Sequence, residues 1–148
     1  MIEYLTEYQS TLKQSIKNMA GMVSFEVMEY EDEVRKWIKE RWLLGERPDG
    51  SIIGVYRNPD YAMFKQRMNP KAGGDVDLTL TESLGDKIEM IPTQKNIFKI
   101  ISTDSKYSKI VEKYGEYNFN LSEEKKELLF EMIGNQIINK VLDRLWAA

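Results

Sequence analysis

Arg41–Leu84 reads RWLLGERPDGSIIGVYRNPDYAMFKQRMNPKAGGDVDLTLTESL and holds three of the four prolines and five of the nine glycines of the 148-residue chain. Proline fixes φ and glycine admits positive φ, so Pro48-Asp49-Gly50, Asn58-Pro59-Asp60, Asn69-Pro70 and Gly73-Gly74 each mark a change of direction. Short runs lie between these turns. Ser51–Arg57 (SIIGVYR) is β-rich and reads as a strand or extended segment interrupted by Gly54. Asn58 is placed to cap a helix with Pro59 at its first position, running to about Met68. Its apolar side is expected to carry Tyr61, Phe64 and Met68, with Lys65 and Arg67 in solvent. Asp77–Thr81 (DLTLT) alternates as a strand does. Pieces this short must pack to persist.

On the N-terminal side, Ile2, Leu5, Tyr8, Leu12, Ile16 and Met19 recur every three or four residues, as in an amphipathic helix stopped at Gly21. That stripe reads either as core or as a surface lying on a neighbouring subunit. Ser24–Leu44 is a second helix, with Val27, Met28, Val34, Trp37, Ile38 and Trp42 inward. Asp32 and Glu33 lie within reach of Lys36 on its wet side. On the C-terminal side, Lys87–Ile91 and Asn96–Thr103 form an antiparallel hairpin. Ser105–Tyr114 is a helix stopped by Gly115. A long helix then starts at Ser122, carried by Leu129, Met132, Ile133, Ile137, Val141 and Leu145, with Leu128, Ile138 and Leu142 widening the stripe. Trp146 near the end should cover core or a partner. The expected fold is α+β: one domain over 1–148, with an antiparallel sheet of three to five strands against long amphipathic helices.

Composition narrows the chemistry. A chain with 42% hydrophobic and 30% charged residues has the make-up of a globular domain. The N-terminus lacks the basic and apolar regions of a signal peptide, and no segment reaches the length of a membrane span, so aqueous surroundings and no membrane are expected. Cysteine and histidine are both absent. Thiolate sites, imidazole ligands and every His-dependent triad are therefore excluded. The net charge of −3 opposes a general polyanion binder, yet it is uneven: seven cations meet ten acids in 1–50, ten meet eight in 51–113, and four meet six in 114–148.

Two local features invite functional readings. Asp75 and Asp77 are spaced to share one strand face and hold Mg²⁺, but no small-residue phosphate loop opens a helix upstream; Phe64-Lys65-Gln66-Arg67 stands there instead. No enzyme activity, metal or cofactor is expected. Arg57, Lys65, Arg67 and Lys71 make a basic corner opposed by Asp60, which reads either as solvated charge or as a face toward nucleic acid.

The ordered series Arg41-Trp42, Pro48-Asp49-Gly50, Tyr61, Lys65, Asn69-Pro70, Asp77-Leu78, Leu80-Thr81 and Leu84 continues with Ile100-Ile101-Ser102-Thr103, Lys106, Tyr114-Gly115 and Phe119-Asn120-Leu121-Ser122. It resembles the small tail-completion proteins of tailed bacteriophages: the Mu-like virion morphogenesis family and related neck and tail-terminator proteins. Glu82 and Asn120 stand where that family commonly has Gly. The resemblance implies a structural protein of the virion, assembled in the host cytoplasm as a homo-oligomeric ring at the head-to-tail neck or tail end. It would contact other neck, portal or tail proteins. Arg57, Lys65, Arg67 and Lys71 would then face the DNA channel; Tyr4, Leu5, Tyr8 and Leu12 of the N-terminal stripe, which the resemblance does not reach, and Trp146 are the candidate subunit contacts. The alternative expectation is a small nucleic-acid-binding regulator.

Overall fold

The computed structural model describes residues 5–7, 9–11, 13–14, 26–79, 83–93 and 98–147. In order, its principal elements are α1 (Glu31–Leu43), α2 (Pro59–Met68), the short α3 (Ser83–Asp86), β1 (Ile88–Pro92), β2 (Phe98–Ser102), α4 (Tyr107–Tyr114) and α5 (Glu123–Ala147). Single 3-10 turns occupy Pro70–Ala72 and Glu116–Phe119. The fold is mixed α+β.

α1 forms where three- and four-residue spacing buries Val34, Trp37, Ile38 and Trp42. Three acids in its first turn suit the helix dipole. They do not pair with Lys36 as expected; Arg35 takes Glu31 at 2.9 Å and Asp32 at 2.5 Å. The same guanidinium donates to the Ile88 carbonyl at 3.1 and 2.9 Å, and Glu31 accepts from the Met90 amide at 2.9 Å. Thus the first turns of α1 are fastened to β1. Ahead of α1, a helical turn over residues 26–29 buries Glu26, which ion-pairs with Lys140 on α5.

β1 and β2 pair antiparallel with Ile88 opposite Ser102 and Met90 opposite Ile100. These four side chains point inward, as the period of two requires. Among the described residues the sheet has two strands, not three to five. The expected strand at 51–57 contributes only isolated bridges, Glu46 with Ile52 and Val55 with Asp75. Its β-branched residues find no neighbour long enough to ladder, and of its aliphatic side chains only Ile53 is buried. The expected strand at 77–81 ends its extension at Leu78, whose φ is +49°. Leu80 and Thr81 lie outside the described residues.

Trp42 and Phe119 centre the core, with rings edge-on at 5.2 Å, and Tyr107 meets Phe119 at 4.8 Å. The buried backbone beside them is satisfied from α1: the Asn118 carbonyl accepts from Trp42 Nε1 at 3.1 Å and Arg41 Nη2 at 2.5 Å, and Arg41 Nη1 reaches the Asn120 carbonyl at 2.7 Å. Burial lowers the Arg41 pKa to about 10. α5 closes this core with Leu129, Ile133 and Ile137. α4 begins two residues later than expected because the Asp104 carboxylate accepts the Lys106 amide at 2.9 Å, and it stops at Gly115 as expected, with φ of +89°.

Candidate functional site

The turns of the central stretch bring a buried polar cluster together beneath an open cleft. α2 starts as anticipated: Asn58 Oδ1 accepts the amides of Asp60 and Tyr61 at 2.9 and 3.3 Å, and Pro59 holds the first position. The helix is nevertheless rotated from its expected orientation. Phe64 and Met68 are exposed together with Met63, while Lys65 is only 2% exposed. Lys65, expected in solvent among the candidate channel-facing cations, is buried instead.

Lys65 Nζ lies 2.6 Å from Asp77 Oδ1, and Asp77 is 1% exposed. Asn69 Nδ2 donates to Asp77 Oδ2 and to the Leu43 carbonyl, both at 2.8 Å, so the pair is tied to the end of α1. The Thr79 amide adds a longer contact of 3.3 Å to Oδ1. Burial alone would raise the Asp77 pKa; the hydrogen bonds from Lys65, Asn69 and Thr79 outweigh it and hold the carboxyl below its ordinary value. Both carboxylate oxygens are thereby occupied by protein donors. The Asp77 charge is thereby matched by Lys65 inside the fold, while the Asp75 backbone pairs with Val55 in an isolated bridge.

Above this cluster lies an open cleft of about 650 Å³, built from residues 55–58, Tyr61, residues 76–78, Leu84 and one face of α4. Tyr56, Tyr61 and Tyr114 wall it, and Arg57, Lys106 and Lys113 supply its cations. Tyr56 and Tyr61 meet edge-on at 4.9 Å, and Lys113 Nζ sits 4.9 Å from the centre of the Tyr114 ring. Burial, reinforced by the Asp77 charge, pushes the Tyr56 phenol up. Leu78 lines the cleft in the left-handed region, which costs a residue bearing a Cβ about 1–2 kcal/mol.

Arg57, Arg67 and Lys71 are exposed as expected, but the cleft includes Arg57 and neither of the other two. Of the expected subunit-contact residues, Leu5 and Trp146 are exposed, Trp146 to 86%. Tyr4, Tyr8 and Leu12 lie outside the described residues. The sequence reading missed Tyr56, Leu78, Lys106, Lys113 and Tyr114 as parts of one site. Their signal was present in Lys106, just ahead of α4, and in Ile110, Lys113 and Tyr114 on it, which follow at helical spacing, but the residues opposite them come from fifty positions earlier.

A second surface feature is apolar. Along α5, Leu128, Ile138, Leu142 and Trp146 are exposed at spacings that share one side of the helix, away from the buried Leu129, Ile133 and Ile137. On α2, Met63, Phe64 and Met68 form another exposed apolar group.

Comparison with family models, with curated proteins and with solved structures returns no match.

Proposed function

We propose that the chain is a ring-forming structural protein of a tailed-phage virion, part of the head-to-tail neck or the tail terminator. The observation that carries this reading is the presence of two separate exposed apolar groups, Leu128/Ile138/Leu142/Trp146 on α5 and Met63/Phe64/Met68 on α2. A rotational ring needs a heterologous contact, in which one patch of each copy meets a different patch of the next. Exposed large aromatic and Met side chains are the residue types enriched at such contacts. The phage assignment rests on the ordered sequence features. In the fold those features serve two joints: Arg41-Trp42 binds the backbone of 118–120, and Lys65, Asn69 and Asp77 form the buried cluster.

The test is complementation between two variants. Leu142→Asp/Trp146→Ala disables the α5 side and Phe64→Asp/Met68→Asp the α2 side. By mass photometry the parent should form closed multimers and each variant should be monomeric. A mixture of the two should give dimers, because each retains the half the other lacks. A parent that stays monomeric at every concentration overturns the ring. The nucleic-acid regulator alternative predicts instead that charge reversal at Arg57, Arg67 and Lys71 abolishes a salt-dependent DNA affinity.

A further inference from the structure

We propose that the cleft between α2 and α4 binds a nucleoside phosphate, either as a small molecule or as one nucleotide of a single strand. The proposal goes beyond an assembly role and does not depend on it. Four independent properties of the cleft converge on that chemistry. Its volume of about 650 Å³ lies within the range of cavities that enclose small ligands.

Its charge is one-sided. Arg57 and Lys113 line it together with Lys106, which is itself engaged, and among the described lining residues the one carboxylate, Asp77, has both oxygens engaged by Lys65 and Asn69. The Lys65–Asp77 pair beneath the floor carries one charge of each sign and adds no net charge to Arg57 and Lys113 above it.

Its walls are aromatic. Tyr56, Tyr61 and Tyr114 are half-buried residues of its lining, and stacking on aromatic rings is how planar bases are held without sequence readout. A simple anion would use the cations and ignore the tyrosines. A ligand with a planar ring and a phosphate uses both.

Finally, Leu78 is held at φ +49° on the cleft wall. Backbone strain of this kind persists where surrounding structure over-determines it and clusters at ligand sites. Here the buried Asp77 immediately before it anchors the chain while Leu78 turns toward the cleft.

The experiment is isothermal titration of the full chain with AMP, ATP, a ten-residue oligothymidylate and inorganic phosphate, repeated with Arg57→Ala and Lys113→Ala. Both substituted residues are exposed, so the variants should keep the parent's thermal midpoint. The expected result is sub-millimolar binding of at least one nucleoside phosphate, weakened about tenfold by either substitution, with inorganic phosphate at least tenfold weaker than AMP. Tighter binding of the oligonucleotide than of AMP or ATP identifies a strand as the source; the reverse identifies a free nucleotide. The proposal is overturned by no saturable binding of any nucleoside phosphate at 1 mM, by affinities indifferent to Arg57 and Lys113, or by phosphate binding as tightly as AMP.

Discussion

Replacing Lys65 by Met tests the reasoning at its most exposed point, because a surface lysine and a buried ion-paired one give opposite answers. The substitution keeps an unbranched side chain of similar length and leaves the Asp77 carboxylate buried, with Asn69 and the Thr79 amide as its remaining donors. Removing one partner of a buried pair costs about 3–5 kcal/mol. With a urea m-value of roughly 2 kcal/mol/M, the midpoint should fall by about 1.5–2.5 M. The double variant Lys65→Met/Asp77→Leu removes the charge with its partner and should recover most of the loss, leaving about 1–2 kcal/mol for the unmet donors. The pH dependence supplies a second check. In the parent, the depressed Asp77 pKa stabilises the fold above the ordinary carboxylate pKa of about 3.9, and that contribution is lost as pH falls through the lower folded value. Without Lys65, burial becomes the dominant influence and raises the Asp77 pKa, so its penalty is present at pH 7 and relieved as the group protonates on the way to pH 4. The gap between parent and variant should therefore narrow between pH 7 and 4. A cost below about 1 kcal/mol with no pH dependence is what a solvated lysine gives, and it would refute the buried pair.

Other positions give sharper, smaller readouts. Gly45 has φ +72°, and a Cβ there would stand 3.2 Å from the Val76 carbonyl oxygen and 3.3 Å from Ala72 Cβ. Gly45→Ala should cost about 2 kcal/mol or more in chemical denaturation, whereas Gly50→Ala, at φ +81° with open space around it, should show only the conformational term of about 1 kcal/mol. Asn58→Ala removes the acceptor of two amides and should lower stability by about 1 kcal/mol. Gly134 lies within α5 with nothing near its missing Cβ, so Gly134→Ala should raise the thermal midpoint through a gain of about 0.5–1 kcal/mol.

The elements legible in the sequence are those whose determinants are local. Val34, Trp37, Ile38 and Trp42 fix the buried side of α1 by spacing alone, Asn58-Pro59 fixes the start of α2, and Gly115 fixes the end of α4. The hairpin of β1 and β2 is nearly as local, since each strand is the other's nearest partner. Ser51–Arg57 has the same β propensity and yet forms only single bridges, because propensity does not supply a partner. The orientation of α2 was misread for a related reason. Amphipathic logic turns Phe64 and Met68 inward and Lys65 outward; the observed helix is turned by about 100°, one residue's worth, so that Lys65 and Asn69 face Asp77. The carboxylate that Lys65 meets lies twelve positions away in sequence, and no pattern inside the helix records that contact. One consequence bears on function. If Asp77 and Lys65 set the rotation of α2, they also place Tyr61 against Tyr56 on the cleft and leave Met63, Phe64 and Met68 exposed. The buried pair then acts as the register pin for both surfaces, a specificity role that some buried ion pairs serve at little gain in stability. The double variant separates the two contributions: if it recovers stability but loses either ligand binding at the cleft or multimer formation, the pair specifies orientation; if both survive, packing of Tyr61 and Ala62 alone suffices to orient the helix.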